Sequence, residues 1–174
     1  MTKNITMNES RTILLNDKQV EQRINRIAYQ IFEDNAMERE IVLAGIVKNG
    51  FQLCEKIASV IRSISPLNIL MAEVKVDKHS QVNTDIIISL KKDQLKGKVI
   101  ILVDDVLNSG KTIMFALKPF LEADIKKIRT VVLIDRNHKR FPIAADFTGL
   151  SLSTTLQEHV SVEFTSDGIF AWLN

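Results

Sequence analysis

Apolar residues first recur at helical spacing in the stretch that follows residue 16. The spacings of three and four predict one amphipathic helix, with Asn16 as its N-cap and an end near Asn35. The apolar positions of this helix are Val20, Ile24, Ile27, Ala28, Ile31 and Phe32. We expect its other face to be solvated, because that face carries Lys18, Gln22, Arg23 and Arg26.

Short continuous apolar runs then alternate with further helical patterns. Such runs are typical of strands buried on both faces of a parallel sheet. They lie at 40–46, 68–74, 85–90, 99–103, 129–134 and 160–164, and helical spacing returns at 51–61 and 113–122. Pro119 should kink or end the second of these helices, while 91–98 reads as a polar turn and the residues after 164 as a short tail. The alternation predicts an α/β fold with a doubly wound, mainly parallel sheet flanked by helices.

Composition narrows the class of protein. The 174 residues fit one domain, 1–174, with residues 1–10 as a loose N-terminal arm. The 23 basic and 21 acidic residues are too balanced to require a nucleic acid as main partner. Cys54 is the only cysteine, so no internal disulfide can form, and no apolar run has the length of a membrane span. We therefore expect a cytoplasmic protein with no membrane partner, and Cys54 as a core residue rather than a nucleophile.

Three loops should meet at one edge of the sheet. Segments 47–50, 75–84 and 104–112 each follow a predicted strand, and ligands of doubly wound sheets bind beyond the carboxyl ends of the strands. The third loop begins with two adjacent acids, Asp104 and Asp105, directly after the run 99–103. We interpret this edge as the candidate site.

The turn that follows the two acids suits a phosphate. It places small residues and hydroxyls at the start of a helix, where unpaired N–H groups and the helix dipole favour an anion. Its residues are Asn108, Ser109, Gly110, Lys111 and Thr112. The P-loop of nucleoside triphosphatases does not fit, because it needs a glycine where Asp105 stands. Two acids before a phosphate cradle fit a sugar phosphate, with Asp104 and Asp105 accepting hydrogen bonds from ribose hydroxyls.

The run from Val99 to Thr112 resembles the signature of the type I phosphoribosyltransferases. That motif has four apolar residues, two acids, two apolar residues, a variable position and then Thr/Ser-Gly-x-Thr, and this sequence fits each class position through Thr112. The resemblance implies binding of 5-phosphoribosyl-1-pyrophosphate (PRPP) and exchange of its pyrophosphate for a nucleobase. It also implies Mg²⁺ as cofactor, held mainly by PRPP oxygens rather than directly by the protein.

The same resemblance implies roles for the other two loops. Val47, Lys48, Asn49 and Gly50 stand where the family keeps its pyrophosphate loop, although an ordinary strand-to-helix turn would look the same. Lys75, Lys78 and His79 stand in the segment where the family has a flexible loop that closes over PRPP.

Within the family the chain is most similar to the PyrR-like branch, regulators of pyrimidine genes that bind RNA with UMP and often have uracil phosphoribosyltransferase activity. The resemblance covers residues 14–165. It is carried by Arg26-Ile27-Ala28, by Asp104-Asp105-Val106-Leu107, and by segments 134–138 and 141–149. It implies uracil as the base, a small hood near the C-terminal region at about 135–155, and base contacts from Ile143, Asp146 and Phe147, with Phe147 as a core aromatic the alternative. A homodimer or higher homo-oligomer is also expected.

Four departures from the branch bear on function. Asn108 replaces a tyrosine, or the aspartate of the 6-oxopurine enzymes, and it cannot take a proton at neutral pH, which disfavours hypoxanthine and guanine. Asn49 and Ala144 stand where arginines are usual, and Asn25 with Tyr29 replaces a threonine and a histidine on the helix associated with RNA contact. RNA therefore stays open as a partner but is not favoured.

Two other functions stay open on the sequence. One is a non-catalytic PRPP- or UMP-sensing regulator of pyrimidine genes that binds RNA, which Asn49, Asn108 and Ala144 favour. The other is a structural doubly wound domain that acts through its oligomer surface.

Overall fold

The computed structural model describes residues 11–76, 85–155 and 158–174. Its nine strands are β1 Thr12–Leu15, β2 Glu40–Ile46, β3 Asn68–Val76, β4 Ile86–Ile88, β5 Val99–Leu107, β6 Lys127–Asp135, β7 Phe147–Ser151, β8 Val160–Thr165 and β9 Gly168–Leu173. Its helices are α1 Asp17–Asp34, α2 Asn49–Ile64, α3 Lys92–Leu95 and α4 Lys111–Leu121. The predicted N-terminal arm, residues 1–10, lies outside the described residues.

The main sheet has six strands in the order β4-β3-β2-β5-β6-β7. All neighbouring strands are parallel except β4, which runs antiparallel to β3 at the edge. Apolar side chains alternate between the two faces: Ile41 and Leu43 pack with α1 and α2, while Val42 and Ala44 pack on the side of α4. The doubly wound, mainly parallel α/β fold predicted from the sequence is confirmed.

Helix α1 shows how closely local sequence signals can define an element. The Asn16 side chain accepts a hydrogen bond from the Gln19 N–H, and the Gln19 side chain accepts one from the Asn16 N–H. This capping box begins the helix where it was predicted. Arg26, however, is not simply solvated, because it donates to the carbonyls of Thr148 and Gly149 and so connects the helix to β7.

Several predicted boundaries were wrong. Strand β5 does not end before the acids: it continues to Leu107, because Asp104 pairs with Val132 and Leu107 pairs with Asp135 of β6. Helix α2 begins at Asn49, earlier than expected, and the supposed polar turn 91–98 contains α3. Helix α4 runs from Lys111 through Pro119 to Leu121.

The C-terminal region was also predicted incompletely. The supposed tail after 164 is strand β9, which forms a hairpin with β8 and pairs with β1, giving a second, antiparallel sheet in the order β1-β9-β8. The hood was expected at 135–155, but Phe147–Ser151 is a parallel strand of the main sheet. The small separate sheet is built instead from segments at the two ends of the described chain.

Candidate functional site

A cavity of about 360 Å³ opens at the carboxyl ends of β2, β3 and β5. Residues Val47, Lys48 and Asn49 line one side of it, and Asp104, Asp105, Asn108 and Thr112 line another. Val76, at the end of β3, also contributes. Parallel strands deliver these segments to a common edge, as the sequence predicted. A larger cavity of about 500 Å³ lies elsewhere, between α2 and the β8–β9 turn, and contains none of the predicted site residues.

The two acids lie inside β5 and are held there by local hydrogen bonds. The Asp105 N–H donates to Asp104 Oδ1 at 3.0 Å, and the Val106 N–H donates to Asp105 Oδ1 at 2.9 Å. Asp105 Oδ2 accepts from Asn49 Nδ2 at 2.8 Å. Both side chains are half-buried. The partners in these bonds are neutral amides, and an ionised carboxylate can accept more than two hydrogen bonds.

The turn before α4 has the geometry of an anion cradle. Gly110, the N-cap of this helix, has φ +84° and offers no side chain as a cap. The Lys111 N–H donates to Ser109 Oγ at 3.3 Å, and the helix dipole at the other N–H groups of the first turn favours an anion. The Ser109 carbonyl accepts from the N–H groups of Arg140 and Phe141, both at 3.0 Å. Segment 140–141 therefore fixes the turn through the Ser109 carbonyl and uses none of the N–H groups of the turn.

The segment before α2 reaches the acids because Gly50 has no side chain. A Cβ on Gly50 would lie 2.6 Å from the Val103 carbonyl oxygen and 3.1 Å from Asp104 Cα. The peptide bond between Val47 and Lys48 is cis, and the Val47 N–H donates to the Val74 carbonyl at 3.0 Å. Close packing of α2 on β5 thus brings Lys48 and Asn49 into the same cavity as Asp104 and Asp105.

Of the three residues predicted to lie in the flexible loop, the structure describes only Lys75. Lys75 is not in a loop: it lies in β3, pairs with Ile87, and places its Nζ 3.8 Å from Glu73 Oε2. It was misassigned because the apolar run ends at Val74, whereas the ladder with β4 extends the strand to Val76. Lys78 and His79 lie outside the described residues.

The structure does not gather the three predicted base-binding residues in this cavity. Ile143 packs against the phosphate turn, where a Cβ on Gly110 would lie 2.3 Å from Ile143 Cγ2. Asp146 accepts from the N–H and Oγ1 of Thr130 and forms an ion pair with Arg129. Phe147 packs against the hydrophobic core on the side of α1 and α2, as the core-aromatic alternative expected.

Sequence reasoning missed the role of Arg136. This residue directly follows β6 and is only 7% exposed. Its Nη1 donates to Asn108 Oδ1 at 2.8 Å, its Nε donates to Thr154 Oγ1 at 3.0 Å, and its Nη2 donates to the carbonyls of Thr155 and Glu158. The two charged residues Asp135 and Arg136, directly after the apolar stretch 131–134, were a signal of function, but nothing local in the sequence pointed to Asn108 as the partner of Arg136.

Other candidate chemistry is limited in the described part of the chain. Cys54 is fully buried on α2, and burial, with a smaller contribution from the charge of Glu55, raises the pKa of its thiol well above the ordinary value. Among residues 11–76, 85–155 and 158–174, no three His, Cys, Asp or Glu side chains lie close enough together to hold a metal ion. Within the same residues, no helix is both long and apolar enough to cross a membrane.

Comparison with solved structures supports the fold. The chain superimposes on the hypoxanthine phosphoribosyltransferase of Trypanosoma cruzi with a TM-score of 0.73 and 17% identity, covering 86% of this chain and 84% of that one. A hypoxanthine-guanine phosphoribosyltransferase from Bacillus anthracis gives a TM-score of 0.71 with 19% identity, covering 82% and 83% of the two chains. At these identities the likeness concerns the fold alone.

Comparison by sequence is more specific. The family model for the phosphoribosyl transferase domain matches residues 10–166. The bifunctional protein PyrR of Clostridium acetobutylicum is 35% identical over 156 residues, which cover 86% of this chain and 88% of the relative. The bifunctional protein PyrR of Haemophilus ducreyi is 32% identical over 157 residues, with 86% and 88% covered. The chain therefore belongs to the type I phosphoribosyltransferase family, and within it to the PyrR-like branch.

Proposed function

We propose that this phosphoribosyltransferase transfers the 5-phosphoribosyl group of PRPP to uracil and releases pyrophosphate. The observation that carries the proposal is the single cavity into which β5, the turn before α4 and the segment before α2 place two acids, an anion cradle and Lys48. The choice of uracil rests on the PyrR-like branch and on Asn108, which lacks the proton-accepting carboxylate of the 6-oxopurine enzymes.

Each part of the cavity has a role in binding PRPP. Asp104 and Asp105 accept hydrogen bonds from the ribose hydroxyls, and the N–H groups of the turn Ser109–Thr112 bind the 5′-phosphate. Val47, Lys48, Asn49 and Gly50 would bind the pyrophosphate: the first three line the cavity, and Lys48 supplies positive charge. Phosphate and sugar are thereby held in one orientation relative to the incoming base.

The reaction replaces one bond at C1′ by another and releases one proton. A ring nitrogen of uracil attacks C1′ of PRPP as the bond from C1′ to the pyrophosphate oxygen breaks, and the electron pair of that bond leaves with pyrophosphate. The nitrogen gives up its proton to water. Positive charge develops on the ribose in the transition state, and the carboxylates of Asp104 and Asp105 stabilise it by proximity.

The proposal includes Mg²⁺, a cytoplasmic location and a homodimer or higher homo-oligomer. Two carboxylates fit Mg²⁺, which binds through one or two such groups and completes its shell with water and substrate phosphates. When bound, the ion neutralises charge on the pyrophosphate. Asp104 and Asp105 are the residues that would lie next to it.

A second candidate function is regulation of pyrimidine genes by a nucleotide-sensing form of the protein that binds RNA. The relatives named as bifunctional favour it. Asn49 and Asn108 also favour it, because these two amides line the cavity where the family usually has an arginine and a tyrosine or aspartate. Arg26 is a poor RNA contact, since its guanidinium already donates to the carbonyls of Thr148 and Gly149.

The test is turnover of PRPP with a panel of bases: uracil, guanine, hypoxanthine, xanthine, adenine and orotate. We expect UMP from uracil and pyrophosphate release in equal amount. Asp104→Asn and Asp105→Ala should each lower turnover by roughly 100-fold or more, because a charge that stabilises the transition state is lost. Asp93→Asn, in the exposed first turn of α3, is the matched control and should leave turnover unchanged.

The outcomes separate the candidate functions. Binding of PRPP or UMP without turnover on any base would replace the transferase by the nucleotide-sensing regulator. Full turnover in both acid variants would contradict the role of Asp104 and Asp105.

A further inference from the structure

We propose that Arg136 orients the side-chain amide of Asn108 so that its NH₂ group donates a hydrogen bond to a carbonyl oxygen of the pyrimidine base. This inference rests on the proposed function. It assigns base recognition to a pair of residues of which one, Asn108, departs from the family pattern and the other, Arg136, had no predicted role.

The orientation of the amide follows from the chemistry of arginine. A guanidinium carries only N–H donors, so the Asn108 atom 2.8 Å from Arg136 Nη1 must be the carbonyl oxygen. The Nδ2 group then points away from Arg136, and within the described residues it has no acceptor. Asn108 lines the cavity, so a ligand there meets a hydrogen-bond donor at this position.

Arg136 acts through Asn108 rather than on the ligand. Four of its five N–H groups are engaged, by Asn108, Thr154, Thr155 and Glu158, and the residue is 7% exposed. These bonds fix the guanidinium between Asn108, at the phosphate turn, and the residues Thr154, Thr155 and Glu158. Arg136 is therefore a positioning residue, and its fixed geometry is what gives the Asn108 amide one orientation.

The position of the pair in the sheet matches the side on which the base enters. The segment proposed to bind pyrophosphate follows β2, on one side of β5, and Arg136 follows β6, on the other side. An attacking nitrogen approaches C1′ from the face opposite to the departing pyrophosphate. The base is thus brought toward the side of β6, where Asn108 is held.

A donor at this point selects among bases. Uracil presents two carbonyl oxygens that can accept from an NH₂ group. A site that offers a fixed donor discriminates against a ligand whose matching atom is a poor acceptor, because the donor is then left unpaired.

The test compares binding of UMP, 2-thio-UMP, 4-thio-UMP and ribose 5-phosphate by calorimetry. Asn108→Asp keeps an oxygen for Arg136 but replaces the donor by an acceptor. In Asn108→Asp we expect the affinity for UMP to fall by roughly 10- to 100-fold more than the affinity for ribose 5-phosphate. Ribose 5-phosphate has no base, so any change in its affinity measures the effect of the added charge alone. The loss of affinity caused by Asn108→Asp should be smaller for one of the two thio analogues, because sulfur is a weak acceptor and gains little from the Asn108 donor in the native chain. The position of the sulfur in that analogue identifies the base oxygen that accepts from Asn108.

A second variant, Arg136→Lys, tests the positioning role. It should weaken UMP binding less than Asn108→Asp does and leave ribose 5-phosphate binding unchanged, with the loss in KM for uracil rather than in kcat. A merely structural arginine would instead change all four ligands alike.

Three results are decisive. A UMP-specific penalty that one thio analogue relieves supports the proposal. An equal penalty for all four ligands, or none for UMP, overturns it while leaving the transferase function intact. If the native chain neither binds UMP nor converts uracil, the proposed function has failed, and the inference fails with it.

Discussion

Gly110 combines two constraints at a single residue of the phosphate turn. Its φ of +84° lies in the left-handed region, and a Cβ there would lie 2.3 Å from Ile143 Cγ2. Gly97 has a similar φ of +66°, but a Cβ on it would meet nothing within 4 Å. A side chain on either glycine would strain the backbone, but only one on Gly110 would also clash with a neighbour, so comparing the two positions separates the two effects.

We predict that Gly110→Ala lowers the free energy of unfolding more than Gly97→Ala. Left-handed strain should cost each variant about 1–2 kcal/mol, and the contact with Ile143 should add about 1–3 kcal/mol to Gly110→Ala alone. Urea denaturation measures both losses. Gly110→Ala should also weaken binding of ribose 5-phosphate, because Ile143 and the turn must move apart.

The double variant Gly110→Ala/Ile143→Ala supplies the control for this contact. In the Ile143→Ala background, Gly110→Ala should lower the free energy of unfolding only by about as much as Gly97→Ala does in the native chain, because the contact with Ile143 Cγ2 is gone. Equal losses in the two glycine variants would show that the turn has room for a methyl group.

At the scale of elements, sequence patterns located most strands but placed their ends poorly. Strand β2 was predicted with the bounds that the structure has, although it begins on the charged Glu40 and is followed by the apolar Val47. Strand β5 was ended too early, because Asp104 and Asp105 break the apolar pattern while their backbone still pairs with β6. The hydropathy of a residue indicates whether its side chain is buried, whereas the backbone hydrogen bonds of a strand can continue past the last apolar residue.

Strand β9 shows a signal that was present but not used. Ser166-Asp167 stands between two alternating segments and is followed by Gly168, a combination typical of a hairpin turn; Gly168 pairs with Thr165 and has φ +131°. The pairing of β9 with β1, from the other end of the chain, has no local signal. For the same reason the bond between Arg136 and Asn108 could not be predicted, because it depends on the parallel alignment of β5 and β6.

Asn49 joins three elements around the site. Its Nδ2 lies on α2 and donates to Asp105 of β5 at 2.8 Å and to the Val162 carbonyl of β8 at 2.9 Å. Asn49→Ala leaves both acceptors without this donor. We predict a loss of about 1–3 kcal/mol in the free energy of unfolding, together with weaker PRPP binding, because Asp105 is no longer held. Urea denaturation and calorimetry measure the two effects.

Asn68→Ala is the matched control for Asn49→Ala. Asn68 also donates through its side chain to an acid, Glu40, at 2.5 Å, but it is exposed. Its loss should stay within about 0.5 kcal/mol, with PRPP binding unchanged. If both variants lost equal stability, Asn49 would be one more surface residue and not a connection between the small sheet and the site.

At the scale of the whole molecule, Cys54 reports whether the core and the site open together. It lies on α2, the helix whose first turn carries Asn49 and Gly50, and its side chain is fully buried among α1, α2 and the sheet. Burial raises the pKa of this thiol, so the folded protein retains the proton above the ordinary value of 9.0 while the unfolded chain releases it. Below pH 9 the thiol is protonated in both states, and its burial stays compatible with the folded state. As the pH rises above 9, release of the proton by the unfolded chain lowers the free energy of unfolding.

We predict that PRPP slows labelling of Cys54 by a thiol reagent. Labelling requires an opened state, because the thiol is buried and protonated. A ligand that binds only the folded state lowers the population of the opened state by the factor 1 + [L]/Kd. At 100 times Kd the rate should fall by about 100-fold, measured by mass spectrometry near neutral pH. In Asp104→Asn/Asp105→Ala, PRPP should give little protection. Labelling of the native chain that PRPP does not slow, at a concentration where calorimetry shows saturation, would mean that α2 opens without opening the site.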